Sequence, residues 1–156
     1  SLALVTDAGT PGISDRGNLL IQYLIEQDPT ICISPIPGPS AVTTALSISG
    51  FPTDRFLFLG FPPHKKKRQT FFADVAKATE TVVFYESNHR IEKCLAELAN
   101  VLDPERQVCI CRELTKKFES IYRGKAKDIL ISHIPTKGEF VVIISRPFHS
   151  SVSKSV

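Results

Sequence analysis

The chain has 156 residues with 42% apolar and 22% charged side chains and a formal net charge of +3, which excludes disorder over most of its length and allows one domain or two small halves. So small a net charge announces no nucleic-acid partner, and any such case must rest on local patches. No run reaches the roughly 18 apolar residues of a membrane span. Cys32, Cys94, Cys109 and Cys111 lack the spacing of a zinc site or a Cys-x-x-Cys pair, so they read as buried, reduced thiols of a cytoplasmic protein.

The chain opens inside an apolar run, residues 2–6, that predicts a buried strand and leads straight into Asp7-Ala8-Gly9-Thr10-Pro11-Gly12. Glycines in such a turn let the backbone approach a ligand at a strand's carboxyl end, and an ordinary tight turn fits the pattern equally well. The abrupt start, together with the absence of any methionine, predicts an excerpt of a longer product. A helix is expected over 15–27, with Leu19, Leu20, Tyr23 and Leu24 as its apolar stripe and Ser14 or Asp15 as its cap. A second strand is expected at 30–34, followed by the rigid turn Pro35-Ile36-Pro37-Gly38-Pro39 and a helix over 40–47 capped by Ser40. Two loops of this kind side by side would make a cleft, without the glycine spacing of a dinucleotide site or the lysine of a phosphate loop.

Turn formers at 50–55 and 60–63 bracket a short strand at 56–59 and place a domain boundary near residue 55. The run His64-Lys65-Lys66-Lys67-Arg68 then opens a helix over 66–77, either as a phosphate-binding patch or as a solvated basic helix end. A strand at 81–85 ends in the polar cluster Tyr85-Glu86-Ser87-Asn88-His89-Arg90, which is a site candidate or simply the capped start of the helix expected over 89–102, with Glu86 paired to Arg90. Strands at 107–113, 120–123 and 140–145 and a helix at 126–132 complete an alternating α/β pattern. Charges of both signs crowd Arg112, Glu113, Lys116, Lys117 and Glu119, as a site or as a surface ion-pair ladder. The histidines show no paired ligand spacing, His64, His133 and His149 read as surface residues, and no metal site is predicted; the Ser-rich tail 148–156 is expected to fray.

Taken together, the blocks 5–15, 35–41, 58–62, 84–90, 112–119, Arg123-Gly124 and Lys137-Gly138-Glu139 resemble the ribosomal RNA small-subunit methyltransferase I family, the 16S ribosomal RNA cytidine 2′-O-methyltransferases of the tetrapyrrole-methylase-like superfamily. The resemblance implies an α/β fold of that type: an incomplete N-terminal α/β half (1–55) and a C-terminal α/β domain with a mixed sheet (56–147). It implies S-adenosylmethionine as cofactor, 16S ribosomal RNA in the small subunit as substrate, no membrane association and a homodimer. Asp7, Ala8, Gly9, Thr10, Pro11, Pro37, Gly38, Ser40, Ala41, Tyr85, Thr115 and Gly138 are then the expected cofactor contacts. The family's own first strand and its Gly-containing segment have no counterpart here.

A ribose hydroxyl is a weak acid, so its methylation requires a proton acceptor. Glu86, Glu113, Lys116 and Glu119 are the candidates, and Arg90 completes the catalytic set by orienting phosphate. Lys65, Lys66, Lys67, Arg68 and Arg112 are expected on RNA. A tetrapyrrole-precursor methylase and a non-catalytic fragment or dimerisation domain are the competing readings.

Overall fold

The computed structural model describes residues 2–147, which form two compact units dividing after Ala41. In the first unit the one regular element is α1 (Asn18–Gln27). The strands expected at 2–6 and 30–34 do not form. A strand persists only where a neighbour accepts and donates its ladder hydrogen bonds, and neither run has such a neighbour: Leu2 and Val5 of the first are 94 and 80% exposed, and Ile33 of the second is 41% exposed. Cys32 is therefore exposed, against the expectation of a buried thiol. Helix α1 starts three residues later than expected and is capped by Gly17 (φ 139°), not by Ser14 or Asp15. Ser14 lies in the left-handed region, and the Asp15 carboxylate instead accepts the neighbouring Arg16 N–H (2.7 Å).

The second unit is built on a five-stranded mixed sheet. Its strands are β1 (Phe56–Phe58), β2 (Thr81–Ser87), β3 (Gln107–Arg112), β4 (Ser120–Lys125) and β5 (Glu139–Ile144), in the spatial order β1-β2-β5-β3-β4. Only β1 and β2 are parallel; the other three pairings are antiparallel. Burial on both faces explains the near-continuous apolar runs of β2, β3 and β5. Alternation sends Val82, Phe84, Val108, Ile110, Phe140, Val142 and Ile144 to one face, where they meet Phe72 and Val75 of α3 (Arg68–Lys77) and Ile91, Leu95 and Leu98 of α4 (Ile91–Val101). On the other face Val83, Cys109, Cys111, Val141 and Ile143 are covered by Val42, Ala45 and Leu46 of α2 (Ala41–Ser49).

This packing explains why the division falls ahead of the boundary expected near 55. From Val42 onward α2 is a layer of the second unit, and full burial of a Val or Leu side chain contributes about 1.5–3 kcal/mol. Arg123 reinforces it by donating to the Ile48 carbonyl (2.9 Å) near the helix's carboxyl end. Other expected elements form within one to three residues of their reading, including the short α5 (Ala126–Ile129). Strand β3 stops at Arg112 because Glu113 has φ 51°. The tail 148–156 lies outside the described residues.

Arg106 is buried, and among the described residues no carboxylate is hydrogen-bonded to it. Its guanidinium donates to the carbonyls of Ala76 (2.8 Å) and Ala78 (2.9 Å) at the end of α3 and of Ser145 (2.7 Å) just past β5. Each acceptor offsets part of the cost of removing the charge from water.

Candidate functional site

The register aligns the ends of three strands. Glu86 of β2 and Arg112 of β3 both pair with Phe140 of β5, so the two polar blocks flagged in the sequence share one edge of the sheet, about 10 Å apart across the intervening strand.

The block at β2 faces α3 and α4 and is buried. The Glu86 carboxylate meets Arg90 (2.9 Å) and Arg68 (3.4 Å), while Arg68 also donates to Glu97 (2.8 Å) and to the Pro63 carbonyl (3.1 Å). Arg90 donates to the Pro62 carbonyl (3.0 Å) and Ser87 Oγ (3.2 Å). The expected Glu86–Arg90 pair is thus present, and Arg90 itself, without a side-chain cap, occupies the helix cap position. Arg68 was expected on RNA; at 3% exposure, with both neighbouring carboxylates claimed, it instead fastens the 60–63 turn to α3. Lys65, Lys66 and Lys67 of the same run are exposed. Tyr85 points to the opposite face, its ring 5.1 Å from Phe58 and 5.3 Å from Phe61. Burial raises its phenol pKa, opposed by the Val42 backbone.

The block at β3 is mostly open to solvent. Glu113 and Thr115 hold positive φ of 51° and 63°, conformations that cost non-glycine residues energy unless neighbours fix them. Here they are fixed. Glu113 Oε1 accepts the Glu139 N–H (2.8 Å) and Lys116 Nζ (3.2 Å), Lys116 Nζ also reaches Glu139 Oε2 (2.7 Å), and Glu119 Oε2 accepts the Thr115 N–H (2.7 Å). Gly138, with φ 134°, passes so close that a Cβ would lie 2.7 Å from Glu113 Cγ. The Glu139 amide, then Lys116, holds the Glu113 carboxyl below its ordinary pKa. Glu139, then Glu113, raises the Lys116 ammonium. Arg112, also expected on RNA, is spent on the chain itself: it donates to the carbonyls of Lys137 (2.7 Å) and Phe118 (2.8 Å) and to Ser120 Oγ (3.3 Å).

Within the first unit, the two expected cofactor loops come together, since a Cβ on Gly9 would stand 3.9 Å from the Pro39 carbonyl oxygen. Asp7, Ala8, Gly9, Thr10, Pro37, Gly38 and Ala41 are exposed, and Pro11 and Ser40 are half-buried. Gly9 has φ 78° and nothing lies within 4 Å of a Cβ placed on Gly38. Exposed amides, carbonyls, a carboxylate and a hydroxyl around open space fit the polar edge of a nucleoside such as that of S-adenosylmethionine.

His64 and His133 are exposed, and His149 lies outside the described residues. Among the described residues no group of three His, Cys, Asp or Glu is arranged to hold a metal ion, and no helix is long and apolar enough to cross a membrane. A shallow groove between α4 and residues 130–134 contains none of the candidate residues. Sequence reasoning missed Glu97, Arg106 and Glu139. Only Glu139, adjoining Gly138, carried a local signal.

Solved structures define the class of fold. The chain is similar to the methyltransferase CobJ (20% identity, TM-score 0.62, covering 95% of this chain and 64% of that one). It is also similar to a uroporphyrin-III C-methyltransferase from Thermus thermophilus complexed with S-adenosyl homocysteine (15% identity, TM-score 0.55, covering 88% and 62%). Identities this low speak for the fold alone, an α/β fold of the methylase type. The family model for Tetrapyrrole (Corrin/Porphyrin) Methylases matches residues 1–130, and the chain belongs to that family. Among curated proteins it is 45% identical over 150 residues to the ribosomal RNA small subunit methyltransferase I of Vibrio cholerae (92% of this chain, 51% of that protein). To the protein of the same name from Xylella fastidiosa it is 43% identical over 149 residues (92% and 54%). The chain spans about half the length of the curated relatives it matches.

Proposed function

We propose that this chain is part of an S-adenosylmethionine-dependent methyltransferase acting on ribosomal RNA of the small subunit, at a cytidine 2′-hydroxyl. The observation that carries the reading is the contrast in likeness: 43 and 45% identity to two proteins named for small-subunit ribosomal RNA, against 15 and 20% to the uroporphyrin-III enzyme and CobJ. The exposed run at Lys65, Lys66 and Lys67 suits a phosphate backbone. We place the protein in the cytoplasm, acting as a homodimer.

The cofactor supplies an electrophilic methyl group. In our reading the loops at Asp7 to Pro11 and Pro37 to Ala41 hold its nucleoside. Four groups were candidates for taking the hydroxyl proton, and their surroundings separate them. Glu86 is fully buried between two arginines, which keeps solvent-borne substrate away. Lys116 is held protonated and Glu113 is made a weaker base by the same contacts. Glu119 is exposed, with one oxygen engaged by the Thr115 amide, and we assign it the proton. Glu113 and Lys116 then act as positioning residues, and Arg90 holds the 60–63 turn.

Methyl transfer from tritiated S-adenosylmethionine by the whole protein tests this. Counts are expected in RNA of the small ribosomal subunit and none in a tetrapyrrole precursor; the reverse pattern overturns the proposal and selects the small-molecule reading.

A further inference from the structure

Phe118 is a large apolar side chain, 64% exposed, and no part of the activity outlined so far uses it. The backbone beneath it is rigid. Its carbonyl accepts from Arg112 Nη1 (2.8 Å) and Ser120 Oγ (3.2 Å), and Glu119 N–H closes onto the Lys116 carbonyl (3.1 Å). Lys117 sits over one face, its Nζ 5.6 Å from the ring centroid. Among the described residues no carboxylate pairs with Lys117, whereas Lys116, its neighbour, is engaged by two.

A solvent-facing aromatic ring on a hydrogen-bonded backbone, beside a cation that no carboxylate engages among the described residues, has the two elements by which proteins hold single-stranded RNA: a π surface for a base and a positive charge for the adjoining phosphate. We propose that Phe118 and Lys117 form a stacking platform for an unpaired nucleobase of the RNA substrate. The proposal rests on the RNA reading above and deepens it, because it places a base contact in the same loop as Glu119. A loop already locked by its own hydrogen bonds loses little conformational freedom when the base docks. The ring distinguishes unpaired from paired RNA, since a base inside a duplex has both faces occupied.

The test is steady-state methylation by the whole protein carrying Phe118→Leu, which keeps an apolar side chain and removes the π face. The KM for RNA is expected to rise about tenfold, with kcat, S-adenosylmethionine affinity and melting temperature little changed, and Phe118→Trp to restore the wild-type KM. This chain has no tryptophan, so in it the introduced indole also reports directly: quenching by a single-stranded cytidine-containing oligonucleotide, without quenching by inorganic polyphosphate, supports stacking. An unchanged RNA KM in Phe118→Leu overturns the platform and leaves the RNA reading standing. RNA bound with the indole unquenched does the same. Weakened RNA binding accompanied by loss of a dimer in sedimentation, or by loss of cofactor affinity, also overturns it, making Phe118 a protein contact. Wild-type protein that methylates a tetrapyrrole and no RNA removes both readings.

Discussion

Two charged clusters stand at the same edge of one sheet and obey opposite rules. The Arg68–Glu86–Arg90–Glu97 cluster is packed under helices, where Arg68 and Glu86 have left water and survive because their hydrogen-bonding atoms are matched. The Glu113–Lys116–Glu139 cluster has side chains up to 81% exposed, so its ion pairs add little to stability while fixing the shape of a loop. Burial, not charge count, decides which cluster supports the fold and which is available to a substrate.

Breaking the buried cluster is expected to have the largest effect. Glu86→Gln takes the carboxylate from Arg90 and leaves Arg68 with Glu97 alone, and should lower unfolding free energy by about 3–5 kcal/mol in urea titration; a loss under 1 kcal/mol would mean that water already reaches the cluster. Gly138→Ala comes next, because φ 134° and the 2.7 Å approach to Glu113 Cγ strain any side chain there. About 1–3 kcal/mol is expected, with methylation by the whole protein falling as Glu113 is displaced. Lys116→Met should cost at most about 1 kcal/mol yet still depress methylation; parallel losses in stability and rate would contradict its placement as a positioning residue.

The exposed cluster also sets a pH window. The Glu113 carboxyl is held low, so its contribution is complete above the ordinary value of 4.5 and is lost as pH falls through the lower folded value. The Lys116 ammonium is held high, so its contribution is complete below 10.5 and fades as pH rises through the higher folded value. Amide chemical shifts of residues 113–119 should therefore stay constant between about pH 5 and 10 and move outside that range. The smallest effect concerns thiols. Cys94 is held up by burial and then Glu86, and Cys111 by the Cys109 sulfur and then burial; with all three buried, iodoacetamide should modify Cys32 alone in the native protein, as peptide mass mapping would show.

The sheet unit was legible in the sequence because its signals are local: apolar runs of strand length, helical stripes, and Gly or Pro at the breaks. The first unit was misread for the same reason. Residues 2–6 and 30–34 have strand composition, but a strand is defined by its partner, and composition does not name one. At the candidate site, spacing found both polar blocks and could not rank them. Arg68 lies in a run with three exposed lysines and differs from them only because Glu86 and Glu97, far away in sequence, reach it. Arg112 likewise looked available until the carbonyls of Lys137 and Phe118 claimed it.

The strand order has a consequence in time. Among the described residues strand β5 comes last in sequence and is central in the sheet, the bridge between a β1–β2 ribbon and a β3–β4 ribbon. Before residues 139–144 leave the ribosome these ribbons have no common ladder, and Arg106 lacks one of its three carbonyl acceptors. The row that joins Glu86 to Arg112 through Phe140 cannot exist on a nascent chain. Both charged clusters are therefore brought to one edge only after synthesis has passed β5, so a growing chain carries the parts of the site without the site itself.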